Sequence, residues 1–149
     1  MQRRQRVPKQ WLIAASPDGV VEAARRLRPG SGILLLRPLP AAELRRLGHV
    51  ARQRRQSVVA EQPRTAARVH NVRELRRALL ARVPLILLSP LYRTRSHPEW
   101  EPLPRMRAAT LARLGGRRLL ALGGMNRKRY AAVAPLGFIG WAGISAFRT

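Results

Sequence analysis

The sequence predicts an α/β fold with a parallel sheet, and three observations support this prediction. Short apolar runs alternate along the chain with longer segments of helical periodicity, which is the pattern of successive βαβ units. The strand-like runs are apolar throughout, as expected for strands covered on both faces. No low-complexity linker divides the 149 residues, so residues 11–149 are predicted to form one domain after a basic tail at residues 1–10.

The first half of the chain is predicted to hold four strands and two helices. Asp18 is a plausible N-cap for the first helix, and Arg28-Pro29-Gly30 ends it. In the second helix the apolar side chains fall on one side and the arginines on the other. The predicted strands are residues 11–15, 32–37, 57–61 and 65–70, and the predicted helices are residues 20–27 and 40–55.

The second half continues the alternation, which gives about seven strands and five helices in total. Helices are predicted at residues 72–81, 103–114 and 127–134, and strands at residues 85–89, 118–122 and 138–142. Gly115-Gly116 follows the second of these helices, as is common at helix ends. A complete eight-unit β/α barrel usually needs about 200 residues or more, so a barrel built from this chain must lack units.

The charge of the chain is strongly positive. Lysine and arginine number 30 against 7 acidic residues, which gives a net charge of +23, and nearly all the basic residues are arginine. Such a charge attracts polyanions and phosphorylated ligands. Nucleic-acid binding is the less favoured interpretation, because the basic residues are spread along the predicted helices and are not gathered with stacking aromatics.

Composition also limits the chemistry and the location. There is no cysteine, so disulfides and thiolate metal sites are excluded. The longest apolar runs are far below the roughly 20 residues that span a bilayer, and the basic start lacks a signal-peptide pattern; we expect a cytoplasmic protein. Asp18 is the only aspartate, which leaves few carboxylate oxygens for Mg²⁺.

Functional residues of a β/α barrel lie at the carboxyl ends of its strands and in the loops that follow. The predicted positions there are Arg37, Glu61, His70, residues 89–97, Gly123-Gly124 and residues 143–145. The glycine pair permits a close backbone approach to an anion, although tight packing of a helix on a strand is an equal alternative. In the loop at residues 89–98, hydroxyl and guanidinium donors suit phosphate oxygens, and the alternative is a solvated loop.

Three segments carry a resemblance to a known family. LSPLYRTRSHP (88–98), ALGGM (121–125) and GWAGISAF (140–147) resemble, in order and spacing, three consecutive motifs of the thiamine-phosphate synthase and thiazole tautomerase (TenI-like) superfamily. Val69-His70-Asn71 is similar to the His-containing strand end that precedes them in that family. The resemblance is strong over residues 69–149 and looser over residues 11–63.

The resemblance implies a TIM-type (β/α) barrel and a role in thiamine biosynthesis. The family's synthase is a transferase that joins hydroxymethylpyrimidine pyrophosphate to a thiazole phosphate, releasing pyrophosphate with Mg²⁺. Its tautomerase isomerises a thiazole carboxylate phosphate by proton transfer without the metal. By position, Arg37 meets the pyrophosphate and His70 lies near the proton-transfer site. The implied phosphate-binding set is Thr94, Ser96, His97, Gly123, Gly124, Gly143, Ile144 and Ser145.

The sequence also departs from the family. Two metal-binding aspartates are expected after the third and fourth strands, but only Glu61 stands near the first position, so Mg²⁺ is weakly supported. Fewer than ten residues separate Glu61 from His70, where the family has a further βα unit. We therefore expect an incomplete barrel of about seven strands, lacking one βα unit and the last helix. Such a barrel closes with seven strands, stays an open sheet, or pairs its open edges with a second copy.

Four functions follow from these observations. A synthase-like transferase that binds a thiazole phosphate is the leading interpretation, with its activity in doubt because the aspartate pair is absent. The alternatives are a tautomerase-like proton-transfer enzyme that uses His70 and a non-catalytic paralogue that binds a phosphorylated ligand. A basic nucleic-acid-binding protein is the least favoured.

Overall fold

The computed structural model describes residues 7–95 and 97–144, and it confirms the α/β architecture. Seven parallel strands form one curled sheet of the TIM-barrel type. The strands are β1 (Gln10–Ala14), β2 (Gly32–Leu35), β3 (Ser57–Ala60), β4 (Ala66–Val69), β5 (Leu85–Leu88), β6 (Leu119–Ala121) and β7 (Gly140–Gly143). The helices are α1 (Val20–Arg26), α2 (Ala41–Gln53), α3 (Val72–Leu80), α4 (Arg105–Leu114) and α5 (Arg127–Val133), with a 3₁₀ turn at Ala134–Leu136. Within the described ranges, none of the helices has the length and hydropathy that spanning a bilayer requires.

The sheet is a barrel that stays open at one place. Its strand order is β3-β2-β1-β7-β6-β5-β4, so β1 pairs with β7 as in a closed barrel, but β3 and β4 are the two edges. Among the described residues no ladder joins these edges. The opening falls where the sequence was too short for a βα unit, so the predicted incomplete barrel is confirmed.

Five residues connect the edge strands β3 and β4. The backbone N–H of Gln62 donates to the Thr65 hydroxyl at 2.9 Å, and the Ala66 N–H donates to the Gln62 carbonyl at 3.2 Å. The Thr65 hydroxyl in turn donates to the carbonyl of Ala60. These bonds hold the start of β4 beside the end of β3. A crossover that joins two paired parallel strands usually takes a dozen residues or more, so this five-residue link is too short to let β3 and β4 pair.

Apolar side chains fill both sides of the sheet. One cluster lies outside the sheet between β4–β7 and helices α3–α5, and a second lies outside β1 and β2 against α1 and α2. A third cluster fills the inside of the curled sheet: Trp11, Ile13, Leu34, Ala66, Leu85, Leu87, Leu120 and Ala142. The alternation of Trp11 and Ile13 inward with Leu12 and Ala14 outward is the period of two expected for a strand.

Side-chain caps occur at the starts of two helices, while the one cap that the sequence predicted does not form. The side chains of Asn71 and Asn126 cap α3 and α5, accepting from backbone N–H groups at 2.9 and 2.8 Å. The predicted Asp18 N-cap is wrong. Gly19, in the left-handed conformation (φ 74°), occupies the cap position of α1, and the Asp18 carboxylate instead accepts from the Ser16 hydroxyl at 3.3 Å. Helix α1 begins at Val20, as predicted, with Gly19 standing between it and Asp18.

Three arginines adopt the left-handed backbone conformation at the ends of helices. Arg55 (φ 54°), Arg82 (φ 54°) and Arg117 (φ 58°) follow α2, α3 and α4, and they are the non-glycine residues with positive φ in the described ranges. The Val83 N–H reaches back to the Ala78 carbonyl at 3.1 Å, closing the turn after α3. Glycine is the usual residue at such a position, because a β-carbon there costs about 1 kcal/mol or more.

Substituting Arg82 by glycine is expected to raise the free energy of unfolding by about 0.5–1 kcal/mol, because glycine adopts φ 54° without the β-carbon clash. Urea denaturation followed by circular dichroism measures the change. Arg82→Ala is the control, since it also removes the side chain but keeps the β-carbon. Equal stability of the glycine and alanine variants would contradict the prediction.

Candidate functional site

An open cavity of about 1020 Å³ lies at the carboxyl ends of β4 to β7. Its walls are the link after β3, the end of β4, and the loops after β5, β6 and β7. This is the end of the sheet at which β/α barrels carry their functional residues. The open seam contributes to the cavity, because Glu61, Gln62 and Pro63 of the β3–β4 link form part of its wall.

Most of the predicted site residues meet at this cavity. Its lining includes Glu61, His70, Thr94, His97, Gly123, Gly124, Gly143 and Ile144. Arg37 is exposed, two residues beyond the end of β2, and does not belong to the lining. Ser96 and Ser145 lie outside the described residues. The roles assigned to these side chains stay predictions.

His70 follows β4 and is held by a carboxylate on the next helix. Its Nδ1 lies 3.0 Å from Oε2 of Glu74, and its backbone N–H donates to the same oxygen at 3.2 Å. The side-chain amide of Asn71 donates to the other Glu74 oxygen at 3.2 Å. The contact occupies Nδ1 and leaves Nε2 as the ring nitrogen available to a ligand. The His70 side chain is 40% exposed, so a ligand in the cavity can reach it.

The loop after β5 folds over one side of the cavity as an aromatic wall. The Trp100 ring stacks on His97 with centroids 3.8 Å apart, and it meets His70 edge-on at 5.8 Å. Arg93 holds the loop in place by donating to the Pro98 carbonyl at 3.0 Å and to Glu101 at 3.2 Å. Trp100 therefore separates the two cavity histidines.

Two further polar groups of this loop are already engaged. The Thr94 hydroxyl accepts from the His97 N–H at 2.9 Å, so its own proton is left for a ligand. A backbone hydrogen bond at Glu99, assisted by the neighbouring His97, lowers the pKa of the Glu99 carboxyl. That carboxylate lies 3.3 Å from Nδ1 of His97. The Glu99 carboxylate therefore contacts Nδ1 of His97 in the same way that the Glu74 carboxylate contacts Nδ1 of His70.

Gly123 and Gly124 pack closely against the loop after β5. Their φ angles are 103° and 59°, and a β-carbon on Gly123 would lie 2.8 Å from the Cα of Pro90. The Tyr92 N–H donates to the Gly123 carbonyl at 3.1 Å. Both glycines are thus required for packing against a loop, and not mainly for packing of a helix on a strand as the alternative interpretation had it. Anion binding by their backbone stays a prediction.

The cavity carries an excess of positive charge. Four arginines line it against one carboxylate, that of Glu61. Arg68 pairs with Glu61 at 2.9 Å, and Arg129 donates to the Gly124 carbonyl at 2.6 Å while lying over the Tyr92 ring. Arg95 has no partner among the described residues. This excess of guanidinium groups suits an anionic ligand.

The residues of the cavity do not fit a divalent cation. One oxygen of Glu61 is bound to Arg68, and the other is buried without a partner in the described residues. No group of three or more histidine, cysteine, aspartate or glutamate residues that can hold a metal occurs within those residues. Mg²⁺ is usually held by one or two carboxylates together with substrate phosphates, and the one carboxylate of this cavity is already paired with the Arg68 guanidinium.

Sequence reasoning missed four of the side chains that shape the site. Glu74 was detectable, because Asn71 followed three residues later by glutamate is a capping pattern that places the carboxylate near the strand end. Arg68 was detectable from the period of two that sets it on the same face of β4 as His70. Trp100 and Arg129 had no distinguishing pattern, since their places depend on loop folding.

The fold and the cavity together define an α/β protein of the TIM-barrel type whose cavity lies at the carboxyl ends of the strands. Among solved structures, the chain is similar to a thiamine phosphate pyrophosphorylase from Pyrococcus furiosus, with a TM-score of 0.69 and 13% identity. The match covers 97% of this chain and 89% of that chain. In sequence, no family model and no curated protein matches. At this identity the similarity shows a shared fold.

Proposed function

We propose that the cavity binds a phosphorylated heterocycle of the thiazole phosphate type and that His70 moves a proton on it, as in a tautomerase. The observation that carries this proposal is the His70–Glu74 pair, at 3.0 Å, beside a cavity lined by four arginines. It supports the two requirements of such a reaction, an anion site and an oriented acid–base group.

The phosphate is expected to bind to guanidinium groups. Arg95 has no other described partner, and Thr94 keeps a hydroxyl proton to donate. Guanidinium donors bind phosphate oxygens through paired, charge-assisted hydrogen bonds. The cavity of about 1020 Å³ is of the size that small-molecule sites have, so a ring and its phosphate fit together.

The proton transfer is expected to use Nε2 of His70. With Nδ1–H donating to the Glu74 carboxylate, Nε2 carries a lone pair and accepts a proton from the ligand ring. The imidazolium that forms is stabilised by Glu74. It then returns the proton through Nε2 to another ring atom, so the isomerisation leaves the enzyme unchanged and consumes no co-reactant.

A synthase-like coupling of a thiazole phosphate to hydroxymethylpyrimidine pyrophosphate is the second candidate. It is favoured by the fold similarity to a thiamine phosphate pyrophosphorylase. In that reaction the arginines would have to take the charge of the departing pyrophosphate, because Glu61 is paired with Arg68. Complementation of a thiamine auxotroph distinguishes the candidates: growth supports the coupling reaction, and proton exchange without growth supports the tautomerase.

Arg95→Gln is expected to weaken the binding of a thiazole phosphate about tenfold, because it removes a charge-assisted hydrogen bond to the phosphate. Isothermal titration calorimetry at low salt measures the dissociation constant, with inorganic phosphate and the pyrimidine pyrophosphate as comparison ligands. The control is Arg107→Gln, an exposed arginine on α4 outside the cavity lining. Failure of all three ligands to bind the wild-type chain would overturn the proposal.

A further inference from the structure

The acidic residues all lie toward one end of the barrel. The chain has seven, and each lies in a link that follows a strand or in the first turn of a helix, near the carboxyl ends of the strands. They are Asp18, Glu22, Glu43, Glu61, Glu74, Glu99 and Glu101, all within the described ranges. The opposite end, where helices lead back into strands, therefore has no acidic side chain.

Basic residues occupy that opposite end. The links from helices to strands, together with the residue before β1, carry a set that we call the basic face: Lys9, Arg28, Arg54, Arg55, Arg82, Arg117 and Arg118. All of these except Arg54 are exposed. Because the links precede β1, β2, β3, β5 and β6, the sheet order places them along one arc. The link before β7 has no basic residue of its own, but the Arg117 side chain lies beside it: its Cγ would be 3.4 Å from a β-carbon on Gly137.

The backbone conformation of the basic face indicates that its arginine side chains serve a purpose other than stabilising the fold. Arg55, Arg82 and Arg117 all adopt the left-handed conformation, in which glycine is less strained. A cation near a helix C-terminus is favourable by itself, but that effect falls off within the last turn. It does not account for Arg28 and Arg118, which lie beyond the last turns of their helices.

We propose that the basic face binds double-stranded nucleic acid through its phosphate backbone. The sequence argued against nucleic acid because the basic residues are spread along the predicted helices without stacking aromatics, but the fold brings seven of them together at one end. Neutralised phosphates release counterions, which favours binding without base contacts. Among the described residues, the aromatic side chains near this end are Trp11 and Phe138, and both are buried. They therefore offer no exposed platform for the base stacking that single strands require. This binding does not depend on the cavity at the other end.

The test compares two variants with the same loss of charge. The basic-face variant combines Arg28→Gln, Arg55→Gln, Arg82→Gln and Arg118→Gln. The control variant combines Arg45→Gln, Arg73→Gln, Arg107→Gln and Arg127→Gln, which are exposed in the helices and nearer their starts. Arg54 is kept, because its guanidinium donates to the Leu27 carbonyl at 2.6 Å and supports the fold.

Fluorescence anisotropy with a labelled duplex of roughly 20 base pairs, from low to moderate salt, gives the affinities. The basic-face variant should bind at least about tenfold more weakly, and its slope of log K against log salt should be shallower by about 3. The control variant should change affinity less than about threefold. Should the basic-face variant not fold, Arg28→Gln with Arg55→Gln and Arg82→Gln with Arg118→Gln are measured as two separate pairs, and each pair should lose more affinity than a control pair.

Three results would overturn the proposal. An equal loss of duplex affinity in both variants would mean that the net charge of the protein, and not this face, attracts the nucleic acid. Tighter binding of a single strand than of the duplex would contradict backbone recognition of a double helix. Binding to vesicles of anionic lipid with no binding to the duplex would assign the face to a membrane surface instead. None of these results bears on the cavity, where ligand binding is measured separately.

Discussion

Replacing His70 by asparagine is expected to slow the proposed proton transfer by about a hundredfold or more. The asparagine amide can still donate to Glu74, which lies 3.0 Å from Nδ1 of the histidine, but it has no counterpart of Nε2 to accept the proton. Binding of the phosphate should change little, since the arginines remain. The measurement is deuterium exchange into a thiazole phosphate ligand in D₂O, followed by NMR, beside its dissociation constant.

Two companion variants separate the proton-transfer role of His70 from a structural one. Glu74→Gln should reduce the exchange about tenfold, because it keeps a side chain of the same shape but removes the charge that orients the imidazole and stabilises its protonated form. His49→Asn, at an exposed position of α2, should leave the rate unchanged. Full exchange activity in His70→Asn would remove His70 from the mechanism.

The fold could be predicted to a large extent because its elements are marked by local patterns. The apolar strands and the periodic helices set the order, and the short connection between Glu61 and His70 predicted that a βα unit is missing there. That the sheet stays open between β3 and β4, and does not close with seven strands, could not be predicted. The failure at Asp18 has a local cause too. The left-handed Gly19 takes the cap position directly before Val20, and polar residues at a turn do not reveal which of them caps the helix.

The site and the charge distribution were harder to predict, since they depend on which distant residues the topology brings together. Trp100 stands between His70 and His97 through the folding of a loop, which no period describes. Likewise, the arginines of the basic face are separated by whole βα units in the sequence. Only the strand order, with all acidic residues at the other end, reveals them as one surface.

Because the barrel is open, its stability depends strongly on the pairing of β1 with β7. In a closed barrel each strand is held to the rest from both sides, but here β3 and β4 do not pair. Within the described residues, the ladder of Gln10, Trp11 and Leu12 with β7 is the only one that joins strands β1–β3 to strands β4–β7. The two outer apolar clusters lie on either side of this junction, and the inner cluster, which includes Trp11 of β1 and Leu120 of β6, packs across it. The backbone pairing at the junction should therefore contribute strongly to the cooperativity of unfolding.

Gly140→Ala is therefore expected to lower the free energy of unfolding by about 2–4 kcal/mol. A β-carbon at Gly140 would lie 2.3 Å from the carbonyl oxygen of Lys9, which also accepts from the Trp141 N–H at 2.8 Å. Because this neighbour is backbone, it cannot move aside without breaking the β1–β7 pairing. Urea denaturation measures the change.

Gly48→Ala is the matched control for this substitution. It adds the same methyl group within α2, where nothing lies within 4 Å, and should raise the free energy of unfolding by about 0.5–1 kcal/mol through helix propensity. If the open barrel depends on one junction, Gly140→Ala should also broaden the urea transition as the two parts of the sheet unfold separately. A Gly140→Ala chain as stable and as cooperative as the wild type would show that other contacts hold those parts together.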